Sequence, residues 1–320
     1  MRFVFGPVAS RRLGRSLGVD PVPLKTCNWN CVYCQLGRST PMTGERHEYY
    51  PRDEILEEIA AALEALPPEG VDWLTFGGSG EPTLHASLGW LIRRAKELAE
   101  VPIAVITNGA LLARADVRKD LLSANAVLPT LDAGTDTVFR RVNRPLARPS
   151  FAEIVDGLIA FRREFRRKLW VEVMLVHGVN DSEESLRDIA AVLRAVKPDQ
   201  IHLSMPARPP AELWVSQAVN ESIARAEEIL GGAAPVLNLA TRDGSAPLDS
   251  APPPYETPAD AVAEMIARHP MHEDDLLAQL ARWGDARPLE SLAALVGTGR
   301  VQIVTHGGTR FACAAASKYV

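Results

Sequence analysis

Three of the four cysteines in this 320-residue sequence lie within eight positions, at Cys27, Cys31 and Cys34. This Cys-x-x-x-Cys-x-x-Cys spacing lets one tight loop direct three thiolates to the same place. Soft sulfur donors select zinc, copper(I) or iron–sulfur clusters. Because the fourth cysteine, Cys313, lies near the other end of the chain, we predict a [4Fe–4S] cluster with three protein ligands. One iron would then be left open for a ligand that is not protein.

Two other interpretations of these cysteines compete with the cluster. The first is a zinc site that lacks a ligand, and the second is a redox disulfide with a spectator cysteine. Zinc sites nearly always close with four ligands, and no histidine follows at finger spacing, since the nearest is His47. The spacing therefore favours the cluster.

The segment from Cys27 to Cys34, with Tyr33 as its aromatic residue, resembles the signature of the radical S-adenosylmethionine (SAM) enzymes. The resemblance implies that the open iron chelates the amino and carboxylate groups of SAM. An electron from the cluster would split the sulfonium into methionine and a 5'-deoxyadenosyl radical. It also implies an electron donor such as a flavodoxin or a ferredoxin.

A glycine-rich turn, Gly78-Ser79-Gly80-Glu81-Pro82, resembles the Gly-Gly-Glu element of the same family. Glycines let the backbone come close to a ligand, and the resemblance implies that Gly78 and Gly80 lie against the methionine end of SAM. Glu81 is expected to support the loop rather than to react. Taken alone, such a turn more often reflects simple turn geometry.

Two further segments match the family at strand ends. Asn108, in Thr-Asn-Gly, lies where the family places polar contacts near the ribose or the methionyl group, although Asn-Gly is also a common turn. Thr130-Leu131-Asp132-Ala133 resembles the family's Ser-Leu-Asp-Ala pattern, and the Thr130 hydroxyl can still donate to the cofactor carboxylate. The alternative for Asp132 is a cap for the next turn.

Apolar segments that alternate between strand and helix patterns predict an α/β fold over residues 1–235. Strands joined by right-handed helical crossovers are parallel, so we expect a partial (β/α)6 TIM-like barrel. In barrels the chemistry collects at the carboxyl ends of the strands, where the motifs above fall. The six predicted strands lie at about 17–24, 72–76, 102–106, 126–131, 169–176 and 200–204.

Residues 236–255 are rich in Gly, Pro and Ala and predict a linker. Residues 256–320 predict three short helices and a hairpin, which resemble a winged-helix domain. From Tyr255 onward the chain carries eight acidic and six basic residues, whereas DNA readers usually have a basic face. We therefore expect no DNA binding, and favour either a peptide or protein partner or simple packing against the barrel.

The net charge of −5 gives no global attraction to nucleic acid or to an anionic membrane surface. No run of about eighteen apolar residues is present, so we expect no contact with membranes. The amino terminus lacks the apolar core of a signal peptide, and clustered free thiols fit a reducing compartment. We therefore expect a cytoplasmic protein.

Charged residues near the predicted site leave two questions open. Glu172, in a central strand, either faces the cofactor cavity or pairs with an arginine such as Arg208. Arg11, Arg12 and Arg15 predict either a solvated basic lead-in or a contact to a substrate phosphate.

The segments 171–181 and 202–210 resemble the branch of the family that includes the wybutosine-forming tRNA enzyme. The substrate stays open between tRNA and peptide, because many reactions share this fold and cofactor. A different class of function is a winged-helix regulator that uses an Fe–S cluster to sense redox state without turnover of SAM. A third alternative is a simple electron carrier, but electron transfer alone would not require the glycine-rich turn.

Overall fold

An eight-stranded sheet organises the first three quarters of the chain. The computed structural model describes residues 2–39, 41–67, 69–239 and 255–319. Within these residues the sheet follows chain order, with one antiparallel pair followed by parallel neighbours. Its strands are β1 (Val4–Ser10), β2 (Gly14–Val19), β3 (Trp73–Phe76), β4 (Ile103–Thr107), β5 (Ala126–Pro129), β6 (Lys168–Met174), β7 (Gln200–Ser204) and β8 (Val236–Asn238).

Helices connect the parallel strands, because parallel neighbours need a crossover. They are α1 (Arg52–Ala65), α2 (Leu88–Leu98), α3 (Ala115–Leu121), α4 (Asp136–Val142), α5 (Phe151–Glu164), α6 (Glu183–Val196) and α7 (Asn220–Gly231). In α6 the Ser182 side chain caps the first turn, and Leu186, Ile189 and Leu193 form one buried face. The predicted α/β fold and the partial TIM-like barrel are confirmed, with β1 and β8 as the two edges.

Two strands lie outside the predicted set. The predicted basic lead-in is the hairpin of β1 and β2, whose apolar alternation is interrupted by Gly6 and Pro7 at a register shift. β8 lies within the predicted linker 236–255 and pairs with β7, and most of that linker, residues 240–254, lies outside the described residues. A strand as short as β8 leaves little apolar alternation to detect.

The barrel interior changes from apolar to polar along the strands. At the amino ends, Leu13, Ala104, Ala126 and Leu128 pack together. Trp73 and Trp170 extend this layer, with ring centroids 5.8 Å apart. Buried polar residues, among them Thr107, Asp132 and Ser204, lie at or just after the carboxyl ends of the strands, where the predicted site lies.

The C-terminal unit has a core of its own, formed by residues such as Val262, Ile266, Leu276, Leu280 and Leu295. The three predicted helices and the predicted hairpin are present, and a short strand extends the hairpin to three strands. Its likeness to winged-helix domains stays a prediction. The elements are α8 (Pro258–Arg268), β9 (Met271–His272), α9 (Glu273–Arg282), α10 (Pro288–Gly297), β10 (Val301–His306) and β11 (Thr309–Ala314).

None of the helices in the described part of the chain has the length and apolar character needed to cross a membrane.

Candidate cluster and cofactor site

The three clustered cysteines lie in the long loop that follows β2, which we call the cysteine loop (residues 20–39). All three are free, and their residues are half-buried. Each sulfur has a nitrogen donor close by. The donors are Trp29 N at 3.5 Å and Asn108 Nδ2 at 3.7 Å from Cys27, Asn143 Nδ2 at 3.5 Å from Cys31, and Lys25 Nζ at 3.0 Å from Cys34. N–H groups directed at sulfur favour thiolate, the form that binds metal.

Without a metal, two of the three thiols, Cys27 and Cys31, hold their protons. Burial, and then the nearby Glu81 carboxylate, raise the pKa of the Cys27 thiol to about 12. Burial also raises the pKa of Cys31, with Cys27 and Asp132 adding to the shift. Metal binding at these thiols must therefore release protons.

No group of three or more His, Cys, Asp and Glu side chains in the described residues is arranged to hold a single metal ion. A cluster imposes a different requirement, since each cysteine of a [4Fe–4S] site binds a different iron. The three candidate ligands are all cysteine thiols, which is the type of ligand that such clusters take. Cys313 lies elsewhere, buried on β11, with its sulfur 3.9 Å from the Phe311 carbonyl oxygen.

The predicted glycine-rich turn follows β3 and packs directly on the cysteine loop. Lys25 N donates to Ser79 O at 2.6 Å, and Glu81 N donates to Thr26 O at 2.9 Å. A Cβ atom on Gly80 would lie 2.2 Å from the carbonyl oxygen of Thr26. Gly78 has a φ of 132°, and a Cβ there would lie 2.5 Å from an Asp20 carboxylate oxygen. The two loops are therefore interlocked through positions that leave no space for a side chain.

A Gly80→Ala variant is expected to separate these loops. The added methyl group meets backbone rather than a flexible side chain, so the free energy of unfolding should fall by about 1–3 kcal/mol. Urea denaturation measures this loss, and iron retained after anaerobic reconstitution should fall with it. Gly231→Ala is the matched control, because a Cβ there meets nothing within 4 Å. Equal behaviour of the two variants would contradict the interlocking.

Glu81 is buried and supports the turn, as the sequence predicts. Its carboxylate accepts hydrogen bonds from Thr107 Oγ1 at 2.6 Å, Asn108 N at 2.7 Å and Thr83 N at 3.0 Å. Burial raises the pKa of Glu81, and these donors oppose the rise. Asn108 Nδ2 in turn donates to Asn28 Oδ1 at 2.6 Å. The turn, the end of β4 and the cysteine loop are thus held as one unit.

Asp132 connects the cysteine loop to β6 rather than capping a turn. It accepts from the Tyr33 hydroxyl at 2.5 Å, from Asn143 Nδ2 at 2.7 Å and from Met174 N at 2.8 Å. Burial raises the pKa of Asp132 to about 6, and the hydrogen bond from Tyr33 opposes the rise. Thr130, two residues earlier, is half-buried and donates its backbone N–H to Thr107 O.

Lys25, Asn28 and Asn143 contact the site, although the sequence did not single them out. Asn143 donates both toward Cys31 and to Asp132, and it is fully buried. It directly follows α4, a helix of seven residues that the sequence pattern did not predict. A Lys two residues before a cysteine motif is the one local signal that was available.

The C-terminal unit contacts both loops of the site. Asp20 accepts from Ser79 N and from Ser79 Oγ, each at 2.6 Å, and from Arg268 Nε at 2.5 Å. Gln35 Nε2 donates to the backbone oxygen of Arg268 at 3.0 Å, and the Tyr319 hydroxyl donates to Gln35 O at 2.8 Å. Asp20 and Arg268 are 3% and 6% exposed, so this ion pair is buried between the two units.

Glu172 pairs with an arginine, and the partner is Arg12 rather than Arg208. Arg12 comes from the turn between β1 and β2. Arg208, after β7, donates from Nη1 to Gln35 Oε1 at 3.0 Å. The amino-terminal arginines therefore reach toward the site, except Arg15, which forms an exposed pair with Asp72.

Comparison with known protein families matches residues 22–190 to the radical SAM superfamily. A UPF0026 protein of Methanocaldococcus jannaschii is 36% identical over 235 residues, which cover 72% of this chain and 73% of that protein. One from Synechocystis is 38% identical over 207 residues, 64% of this chain and 76% of the relative. A Brachyspira hyodysenteriae protein named GTPase Obg is 46% identical over 200 residues, 62% of this chain, but the match spans only 29% of its length.

Solved structures share the fold at low sequence identity. A radical SAM methyltransferase from Sphaerobacter thermophilus aligns with a TM-score of 0.55 and 20% identity, covering 71% of this chain and 67% of its own. TYW1 with a bound lysine–pyruvate adduct aligns with a TM-score of 0.52 and 17% identity, covering 69% and 74%. These likenesses show the fold.

Proposed function

Because the chain belongs to the radical SAM superfamily, whose members are enzymes that use a [4Fe–4S] cluster and SAM, we propose that Cys27, Cys31 and Cys34 hold that cluster. SAM would bind beside the turn of Gly78, Gly80 and Glu81. When bound, the cluster and SAM supply a 5'-deoxyadenosyl radical that abstracts a hydrogen atom from a substrate.

One observation carries this proposal: the cysteine loop and the glycine-rich turn are joined by two backbone hydrogen bonds, Lys25 N to Ser79 O and Glu81 N to Thr26 O. A cluster held by Cys27, Cys31 and Cys34 would therefore lie close to this turn, whose backbone could contact a ligand of the cluster. The fit of the donor set supports the same conclusion, because three thiols in one loop each have a nitrogen donor nearby.

The chain's own groups have separate tasks in this proposal. The Lys25 ammonium, 3.0 Å from Cys34 Sγ, offsets negative charge at the sulfur. Glu81 accepts a hydrogen bond from the backbone N–H of Asn108, directly after β4, and so keeps the Asn108 side chain close to the Cys27 sulfur. Thr130 adds a hydroxyl near the end of β5. Tyr33 and Asp132 fix the other side of the cysteine loop.

Anaerobic reconstitution with iron and sulfide, followed by dithionite and SAM, tests the proposal. The expected product is 5'-deoxyadenosine, measured by chromatography, together with methionine. A flavodoxin or a ferredoxin is the expected physiological electron donor. A reconstituted cluster that gave no 5'-deoxyadenosine, with or without candidate substrates, would overturn the proposal and favour a redox-sensing regulator.

The substrate remains a choice between tRNA and peptide. A tRNA substrate predicts binding of purified tRNA that weakens steeply as salt rises, because phosphate contacts release counterions. Insensitivity to salt would remove that option.

The excess of acidic residues after Tyr255 supports a C-terminal unit, winged-helix-like over 256–320, that does not bind DNA. It would either hold a peptide or protein partner or serve only to pack against the barrel. Clustered free thiols support a cytoplasmic location.

A further inference from the structure

A cavity of about 510 Å³ opens at the amino-terminal face of the barrel. Its lining residues come from the starts of five neighbouring strands, β3 to β7. Trp73 and Lys168 are the first residues of β3 and β6, and Arg166 lies two residues before Lys168. Asn125 and Asp199 directly precede β5 and β7. The candidate cofactor site lies at the other, carboxyl ends of these strands, so the cavity is a separate place in the molecule.

The side-chain acceptors in the cavity wall already have donors. Asp199 accepts from Arg162 through both carboxylate oxygens, at 2.8 and 3.1 Å, and also from Leu169 N at 2.8 Å. Asn125 Oδ1 accepts from Ile103 N at 3.1 Å. The charge of Asp199, the one acidic residue among those that line the cavity, is therefore balanced by Arg162.

Side-chain donors in the same wall lack acceptors. Within the described residues, the Arg166 guanidinium forms no hydrogen bond or ion pair, and Asn125 Nδ2 donates to no acceptor. The Lys168 ammonium lies 5.4 Å from the ring centroid of Trp73 and 5.2 Å from that of Trp170. These rings position the ammonium but bring no full counter-charge. The wall thus offers three donor groups to a ligand.

The charge around the cavity is positive. Arg167, which also lines it, donates to the backbone oxygens of Ser123 and Ala124 at 3.3 and 3.4 Å. These acceptors are neutral, so Arg167 keeps its full charge. Burial, and then the charge of Arg167, lower the pKa of Lys96, which places a further cation nearby. An anion is therefore the ligand that this wall complements.

We propose that the cavity binds a small phosphorylated ligand, whose phosphate group is held by Arg166, Lys168 and Asn125. A phosphate ester has three strong acceptor oxygens and carries up to two negative charges, and the planar fork of an arginine pairs with two such oxygens at once. A carboxylate has only two oxygens and one charge, so it would leave donors unused. The volume of the cavity is typical of small-molecule sites.

A nucleic acid fits this surface less well. The cavity is lined by three cations, whereas a protein that tracks a nucleic-acid backbone makes more phosphate contacts, about 6–10 in strong binders. The net charge of −5 adds no general attraction for such a polymer. The small phosphorylated ligand is therefore the favoured occupant.

A purely structural role for these cations makes a different prediction. Cations that follow the carboxyl end of a helix interact favourably with its dipole, and Arg166 and Arg167 follow α5. Arg166 is exposed and contacts no acceptor, so its replacement should leave the unfolding midpoint unchanged. Under the structural role alone, its replacement would leave the affinity for phosphate unchanged as well.

Calorimetric titration of the whole reconstituted chain at low ionic strength tests the proposal, with inorganic phosphate, ribose 5-phosphate and acetate as separate ligands. We expect the two phosphate compounds to bind, and acetate to bind more weakly. Arg166→Gln should weaken phosphate binding about 10-fold or more, because a charge-assisted contact is lost. Lys168→Met should also weaken it while keeping an apolar stem against the tryptophans. Arg163→Gln is the matched control, since Arg163 is an exposed arginine three residues before Arg166 and does not line the cavity.

Tighter binding of ribose 5-phosphate than of inorganic phosphate identifies the ligand as a phosphate ester, and the reverse order identifies it as free phosphate. Saturating SAM should not change either affinity, because the cavity and the candidate cofactor site lie at opposite ends of the strands. The proposal is overturned if neither phosphate compound binds, if acetate binds as tightly, if SAM displaces the phosphate, or if Arg166→Gln and Arg163→Gln have equal effects. Binding of a single-stranded oligonucleotide without binding of the small phosphates would overturn it in favour of a nucleic-acid surface. The titrations contain no dithionite, so their result does not depend on radical chemistry.

Discussion

Replacing Cys31 with alanine is expected to abolish 5'-deoxyadenosine formation and to reduce the iron retained after anaerobic reconstitution. A cluster with three protein ligands loses a third of its attachment when one thiolate is removed, and the cysteine loop contains no fourth cysteine to replace it. The donor environment points to the same sensitivity, because Asn143 Nδ2 lies 3.5 Å from the Cys31 sulfur. Iron and sulfide content, the absorbance of the cluster and product chromatography measure the effect.

Cys313→Ala is the control for this experiment. Cys313 is fully buried on β11 of the C-terminal unit, and alanine preserves most of its small apolar volume. This variant should retain its iron and form product at the wild-type rate. Equal product from Cys31→Ala and the wild type would refute the assignment of the cysteines. Far-ultraviolet circular dichroism on both variants confirms that a loss of iron is not a loss of fold.

Replacing Arg268 with methionine is expected to lower the free energy of unfolding by about 3–5 kcal/mol, the usual cost of removing one partner of a buried ion pair. The variant leaves the Asp20 carboxylate buried with Ser79 as its remaining donor. Burial raises the pKa of Asp20, and Arg268 opposes that rise. Without Arg268 the pKa therefore rises further. The loss of stability should be smallest at acidic pH, where Asp20 is protonated, and should grow as the pH increases.

Urea denaturation at several pH values checks this expectation. The double variant Asp20→Asn with Arg268→Met should recover part of the loss, because no buried charge is left unpaired; Glu264, the other partner of Arg268, has a side chain that is 37% exposed. Arg287→Met is the exposed control: its ion pair with Glu290 has side chains that are 74% and 68% exposed, so about 0–1 kcal/mol is expected. A pH-independent loss, or equal losses in Arg268→Met and Arg287→Met, would show that the buried pair is not the cause.

The sequence predicts those parts of the molecule whose signals are local. Alternating strand and helix patterns identify six of the eight strands, and the cysteine spacing identifies the loop on which the site is built. Gly78 and Gly80 are found because close backbone approach needs residues without a side chain. β1 is missed, since Gly6 and Pro7 break its alternation, and an edge strand tolerates such a break.

Contacts between residues far apart in the chain leave no comparable pattern. Arg268 pairs with Asp20, which is 248 positions away in the chain, and the sequence around either residue does not predict the other as its partner. The pairing of Glu172 with Arg12 instead of Arg208 depends on where the first hairpin folds back. Asn143 follows a short helix whose position is set by packing. These contacts arise from tertiary structure, and no single segment of the sequence carries a pattern that predicts them.

The anchoring of the cysteine loop by the C-terminal unit has a consequence for biosynthesis. Cys27, Cys31 and Cys34 precede by more than 280 residues the groups that support their loop from the C-terminal unit. These groups are Lys318 O, which accepts from Arg38 N at 3.0 Å, and the Tyr319 hydroxyl. A nascent chain therefore exposes its thiols long before their outer supports exist. Iron delivered during translation would therefore meet a cysteine loop that lacks its contacts with the C-terminal unit. Iron delivered after the C-terminal unit has folded would meet the loop with these contacts formed.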